Sequence, residues 1–399
     1  MKIAGKTRIG AAVAVAAAAS LVLAGCSVAG DSGGSSSASS SAPDGADCAT
    51  PAGVDWDSVQ SILKPYFSST SEASLPVSGQ LPQPPAENLV IDYLDNGTPV
   101  STLMWQNLAT VKDVLPNATI NDVQVGSDAQ SINTGLNTVI ESKPDIVISV
   151  ALDPTFYVNQ LQQMKSAGIQ FIGASITNAA DFGLEDVYSG LGAQTEWGKV
   201  LAAAGLALTC GTSKEYVFYN VPELAFSNVQ MQATSEELKK LCADCTLREV
   251  NIPVAQMDSS GADMIVSDLQ AHPNTGAFMT SVDEMQIGLQ QKMQIAGLPN
   301  IPGIGQSSTP TNIQQIADGT QVEGMAVDLK MLMWLLVDQA LRERAGMPNP
   351  AATMDWSTYD QSISRILTKD TAGQYNNETG FVAIPDMEQQ FAAMWGVAK

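Results

Sequence analysis

Cys242 and Cys245, separated by two residues in Cys-Ala-Asp-Cys, are the closest-set pair of redox groups or soft metal ligands in the chain. Such spacing serves thiol–disulfide exchange, zinc binding or a structural bridge. Zinc needs further soft ligands, yet there is no second Cys-x-x-Cys and His272 is the sole histidine. A lone histidine also removes Ser-His-Asp triads and multi-histidine metal centres from consideration. Gly-x-Ser-x-Gly, His-Glu-x-x-His and the dinucleotide glycine fingerprint are absent. Gly192–Lys199 has a superficial likeness to a P-loop, but five residues separate the glycines and Val200 replaces the required Ser or Thr. The 41 acidic residues supply carboxylates, but none falls in a catalytic motif. The expectation is a protein that is not an enzyme and holds no cofactor or metal.

Carboxylates, amides and hydroxyls still bind small molecules when a fold gathers them in one cleft. The stretch Thr275–Leu289 is the clearest place for that. Ala277–Thr280 reads as a buried parallel strand, it breaks at Ser281-Val282, and Asp283 is placed to cap a helix carrying Met285, Ile287 and Leu289. In open parallel sheets, ligands sit outside the carboxyl ends of strands, beside such turns.

The same alternation runs along the chain. Helix 54–67 has Trp56, Val59, Ile62 and Leu63 on one face, and a proline-rich strap, 75–85, follows it. Strands are predicted over 88–94, 119–125, 145–150, 169–174 and 186–189, with helices over 100–115, 129–142 and 155–167. Gly190-Leu191-Gly192 marks a change of direction. Beyond it, strands 216–220, 246–252, 277–280, 301–305 and 322–327 alternate with helices 195–209, 226–241, 261–271 and 311–317. Repeated strand-helix units make parallel sheets with right-handed crossovers, and two series make two similar α/β, Rossmann-like lobes. Helix 329–344 then crosses back to the first lobe.

Basic residues Lys2, Lys6 and Arg8 precede an apolar run from Ile9 to Leu23, and Leu23-Ala24-Gly25-Cys26 resembles a bacterial lipobox. Cys26 is therefore the expected lipidation site, on the extracytoplasmic face of the cytoplasmic membrane. In that oxidising setting Cys48, Cys210, Cys242 and Cys245 allow three full disulfide pairings, and Cys242 with Cys245 is the expected bridge. The net charge of −22 repels phosphate backbones, so nucleic acid is not an expected partner. The expected organisation is a signal peptide at 1–26, a Ser/Gly/Ala tether at 27–47, and a helix and strap at 48–87. The first lobe takes 88–190 plus 329–346, and the second takes 191–328 plus 347–399.

Several segments resemble the type I periplasmic binding proteins, the ribose and galactose binders. They are Val282–Leu289 (VDEMQIGL), Leu94–Ser101 (LDNGTPVS) and Gln163–Ser175 (QMKSAGIQFIGAS). Leu336–Gly346 (LVDQALRERAG) and Cys242–Cys245 are similar to helix ends in actinobacterial sugar binders of this kind. The resemblance covers roughly 88–346 and implies two lobes, joined by a three-segment hinge, that close on a ligand. Carried over position by position, it implies contacts from Asn96, Ser175, Gln230, Gln306 and Asp328. Two carboxylates at strand-to-helix turns join the candidates: Asp153, which caps a helix start or faces the cleft, and Asp283, a helix cap with ligand contact second.

The sequence also departs from the ribose type. Thr98 and Pro99 stand for two aromatic platforms, Ser175-Ile176 for an Asp-Arg pair, Gln230 for an arginine, Val282 for an asparagine, Gly305 for an aspartate and Asp328 for a glutamine. Trp105, Phe156 or Tyr157 would have to supply a stacking face, and a neutral or cationic polar ligand suits the set better than an anionic one. The implied function is a monomeric solute-binding lipoprotein that delivers a small polar molecule, a carbohydrate or related polyol, to an ABC permease. The rival is a sensor or interaction lipoprotein with a degenerate cleft that signals to a membrane receptor.

Overall fold

The computed structural model describes residues 48, 51–68, 74–126, 128–184, 187–257, 260–375 and 378–398. The leader, Cys26 and the tether lie outside them. The first lobe runs β1 (Val90–Asp95), α2 (Pro99–Ala109), β2 (Thr119–Gln124), α3 (Ala129–Ser142), β3 (Ile146–Val150), α4 (Val158–Ala167) and β4 (Gln170–Ala174), after a preceding helix α1 (Trp56–Leu63). Its parallel sheet has the order β2-β1-β3-β4. β3 is buried at every position, as a strand covered by helices on both faces must be. Local signals set the helices: the Asp128 carboxylate accepts from the backbone N–H of Gln130 and Ser131 to start α3, while Ile132, Leu136 and Val139 form its buried stripe.

The second lobe runs α5 (Leu191–Leu208), β5 (Glu215–Asn220), α6 (Ala225–Leu241), β6 (Thr246–Asn251), α7 (Gly261–Ala271), β7 (Ala277–Thr280), α8 (Leu289–Ile295), β8 (Gly303–Gly305), α9 (Pro310–Asp318) and β9 (Glu323–Val327). Its parallel order is β6-β5-β7-β8, and a bridge between Gln306 and Met325 carries the sheet on to β9. After α10 (Leu329–Arg344) and α11 (Trp356–Ile363), β10 (Ser364–Thr368) pairs antiparallel with β9. The short α12 (Lys369–Ala372) and the terminal α13 (Met387–Met394) follow.

Two expectations need correcting. Residues 187–189 form a turn, not a strand. Ser189 has φ 53°, which breaks an extended run, and 185–186 lie outside the described residues. The tail, assigned wholly to the second lobe, leaves it again: α13 packs on α10, which itself lies against α2 and β4 of the first lobe. Trp395 stacks on Trp334 with ring centroids 5.5 Å apart, and its Nε1 donates to Asp338 at 2.9 Å. The other Asp338 oxygen takes Arg342 Nε at 2.6 Å, and Arg342 donates on to the strap at Gly79 O (3.0 Å). A buried pair of charges is tolerated because each has hydrogen-bonding partners beyond the other.

From the first sheet the chain passes Gly190 into α5, from β9 it passes Asp328 into α10 against α2 and β4, and after α10 it returns to α11, on α5, and to β10, on β9. α1 packs on α5 and α6, and the Cys48–Cys210 and Cys242–Cys245 disulfides both staple the second lobe. No helix among the described residues is long and apolar enough to cross a membrane.

Candidate functional site

The carboxyl ends of both parallel sheets face one cleft of about 420 Å3, within the size range of small-molecule sites. Its first wall is the turn 96–101 after β1, residues 150–153 and Phe156 after β3, and Ser175 after β4. The opposite wall is Glu223, Leu224 and Phe226 after β5, Val254, Ala255 and Met257 after β6, Val282 and Glu284 after β7, and Gln306 and Ser307 after β8. Trp197, Gln194 and Leu329 line it from the crossings. Four lining residues, Ala151 (φ 59°), Ser175 (56°), Ser189 (53°) and Ser307 (63°), hold the left-handed conformation without being glycine. Such strain persists where the surrounding structure over-determines it, and it concentrates at ligand sites.

Asn96 ends β1 in a turn that consumes one side of its amide. Oδ1 accepts from Thr98 N (3.1 Å) and Thr98 Oγ1 (2.8 Å), while Nδ2 makes no hydrogen bond among the described residues. Ser101 Oγ braces the turn, accepting from Asn96 N (3.2 Å) and lying 3.1 Å from Tyr93 Oη. Asp153 divides its carboxylate similarly: Oδ1 caps the next turn through Thr155 N (2.9 Å), and the residue lines the cleft. Of the three stacking candidates, only Phe156 lines the cleft, with 43% of its surface exposed. Tyr157 is buried in the first-lobe core with its Oη donating to Leu152 O (2.9 Å), and Trp105 is not in the lining.

Gln230, Asp283 and Asp328 do not line the cleft. Gln230 is buried on α6 and donates Nε2 to Gln194 Oε1 (2.6 Å), and Gln194 on α5 in turn donates to Ser189 O (2.8 Å). Gln194, rather than Gln230, lines the cleft. Asp283 caps no helix, because a 3-10 turn, Asp283–Gln286, intervenes before α8. Its carboxylate accepts from Ser308 Oγ (2.5 Å), Gln286 Nε2 (2.6 Å) and Gln321 Nε2 (2.9 Å to each oxygen). A Cβ at Gly305 would stand 2.7 Å from Asp283 Oδ1, and one at Gly324 2.5 Å from Oδ2. Glycine at both positions makes the room. Burial pushes the Asp283 carboxyl up to about 7, against the pull of its donors.

Asp328 caps α10 through Met331 N (2.8 Å) and holds the returning tail through Ala383 N (2.7 Å). Burial raises it to about 6. A neighbouring hinge carboxylate, Asp360, accepts from Tyr66 Oη (2.5 Å), Ser364 Oγ (2.6 Å) and Trp197 Nε1, and burial pushes it up to about 7.

Asn96, Asp153, Ser175 and Gln306 thus meet in the cleft. Gln306 is 4% exposed and its side chain makes no hydrogen bond among the described residues. Ser189, Gln194, Glu223, Glu284 and Ser307 were not anticipated. The strand-end rule that selected Asn96 also points to Glu223, three residues past β5, and to Glu284 beside Asp283. Nothing in the sequence distinguishes Gln194 from other helix residues. No group of three or more metal-ligating side chains is placed to hold an ion among the described residues.

A family model described as a periplasmic binding protein domain matches residues 91–346. No curated protein matches the chain in sequence. Among solved structures, a solute-binding protein of an ABC transporter from Burkholderia graminis C4D1M, in complex with D-arabinose, superposes with a TM-score of 0.62 at 12% identity, over 73% of this chain and 99% of that one. One from Mycobacterium smegmatis with bound glycerol gives 0.61 at 15%, over 74% and 99%. A carbohydrate transporter from Acidothermus cellulolyticus 11B, in complex with myo-inositol, gives 0.59 at 14%, over 72% and 97%. At such identities the likeness is one of fold.

Proposed function

We propose that this chain, which belongs to the periplasmic binding protein domain family, captures a small polar solute between its lobes outside the cytoplasmic membrane and delivers it to an ABC importer. A carbohydrate or related polyol is the ligand class, in keeping with the sugars and polyols bound by proteins of the same fold. The observation that carries the reading is Gln306: a nearly buried amide, without a side-chain partner among the described residues, lines a cleft walled by both lobes. Buried polar groups are normally satisfied, and a ligand with hydroxyl groups supplies what is missing.

A ligand touching Asn96 and Asp153 on one side and Gln306 on the other gains contacts only when the lobes are closed. It therefore favours the closed form by its differential affinity, and a permease can read that form. Cys26 carries the lipid anchor in this reading, and the chain works as a monomer; Cys26→Ser should abolish lipid labelling. Native mass spectrometry of freshly purified protein should show a small molecule retained at one per chain. Protein that retains nothing, and is stabilised by no sugar or polyol, would contradict the import reading.

A further inference from the structure

Three of the cleft's lining residues, Asp153, Glu223 and Glu284, are carboxylates, and none is lysine, arginine or histidine. Acidic residues on a surface are ordinary, but these line a cleft whose walls are otherwise largely apolar: Leu224, Phe226, Val254 and Met257 on one side, Phe156 on the other. An independent observation marks the cleft as built for a ligand: Gln306, 4% exposed, has no side-chain partner among the described residues. Ser307 beside it is 8% exposed, is held at φ 63°, and likewise has no side-chain partner among the described residues.

From this lining we infer that the solute carries a protonated amine, as an amino sugar or an amine-bearing polyol does. The inference rests on the solute-binding reading above and names the ligand class more narrowly. Closing the lobes removes water from Asp153 and Glu223, and charge left without water or a counter-charge is costly. A neutral sugar offers hydroxyl donors but no counter-charge. A sugar acid adds negative charge to an acidic cleft in a chain of net charge −22. An ammonium group supplies three donors and one positive charge, and its bonds to carboxylates are charge-assisted. The apolar side chains then cover the ring's C–H faces, with Phe156 the aromatic platform.

The test is calorimetry on the full chain, stripped of retained ligand, with matched sugars: D-galactosamine against D-galactose, D-glucosamine against D-glucose, and D-glucuronate as the acid. At least one amine should bind about tenfold or more tighter than its hydroxyl counterpart, since charge-assisted bonds are roughly twice as strong as neutral ones. Glu284→Gln should shrink that preference several-fold. Glu223→Gln should also shrink it, and its exposed position separates that effect from misfolding. Neutral sugars binding as tightly as the amines, or the acid binding best, would overturn the inference and leave the import reading standing. An amine preference unmoved in both variants would overturn it too. If no amine binds, the inference falls, and binding of a neutral sugar then decides whether the import reading survives.

Discussion

Asp283 and Gln306 stand just past the ends of the neighbouring strands β7 and β8, and the structure treats them in opposite ways. Asp283 is 0% exposed, and the side chains of Ser308, Gln286 and Gln321 converge on its carboxylate. Gln306 is nearly as buried, but its amide is left to the cleft. Asp328 repeats the first pattern at the hinge, tying α10 to the tail through two backbone N–H groups. Position at a strand end is therefore not enough to make a binding residue. What separates the two kinds is whether the protein itself has already satisfied the side chain.

The comparison predicts which substitutions affect folding and which affect ligand. Asp283→Ala should have the largest effect, a loss of about 3–5 kcal/mol of unfolding free energy, because three donors are left buried without their acceptor. Denaturant titration measures it, and a loss under about 1 kcal/mol would erase the distinction. Asp328→Ala should cost about 2–4 kcal/mol in the same measurement, since it removes a helix cap and the tie to the tail. Affinity per folded molecule should barely change in either variant, and calorimetry of Asp328→Ala checks this.

The pH dependence sharpens the same point. The Asp283 carboxyl is raised in the folded state to about 7, so the folded protein binds its proton more tightly than the unfolded chain does. Its contribution to stability is full below the unfolded value near 3.8 and is lost as pH rises through about 7. Wild type should therefore lose on the order of 2–4 kcal/mol between pH 4 and 8 from this group, and Asp283→Asn, which cannot titrate, should have a flatter profile. Identical slopes in the two proteins would show that the carboxyl does not titrate in this range.

Gln306→Ala should do the reverse of Asp283→Ala. Stability should change by under about 0.5 kcal/mol, while ligand affinity falls about three- to tenfold, the worth of one hydrogen bond. Asn96→Ala should follow at about threefold, because the protein already uses one side of its amide. Unchanged affinity in both variants, measured with the natural ligand, would mean that the cleft is bound by other groups.

Much of the fold is legible along the chain. Helices α3, α7 and α10 and strand β7 have the boundaries that apolar periodicity and caps indicate. The two series of parallel strands follow from the same alternation. The site is legible only in part. Asn96, Asp153, Ser175 and Gln306 meet in the cleft, whereas Gln230, Asp283 and Asp328 turn to protein partners. Those partners explain why: Ser308 and Gln321 lie 25 and 38 residues from Asp283 in sequence, and Ala383 lies 55 from Asp328.

Periodicity, caps and turns are local, so the sequence by itself determined the elements, their alternation into two α/β lobes, and the strand ends where a ligand can sit. A side chain's remaining hydrogen-bonding capacity is not local. It depends on which distant donors packing delivers and on where a missing Cβ leaves space, as Gly305 and Gly324 do around Asp283. The tertiary structure alone decided that Asp283 and Asp328 spend their carboxylates inside the protein. It also decided that Gln306 leaves its amide to the cleft, because only packing determines which polar groups are already satisfied before a ligand arrives.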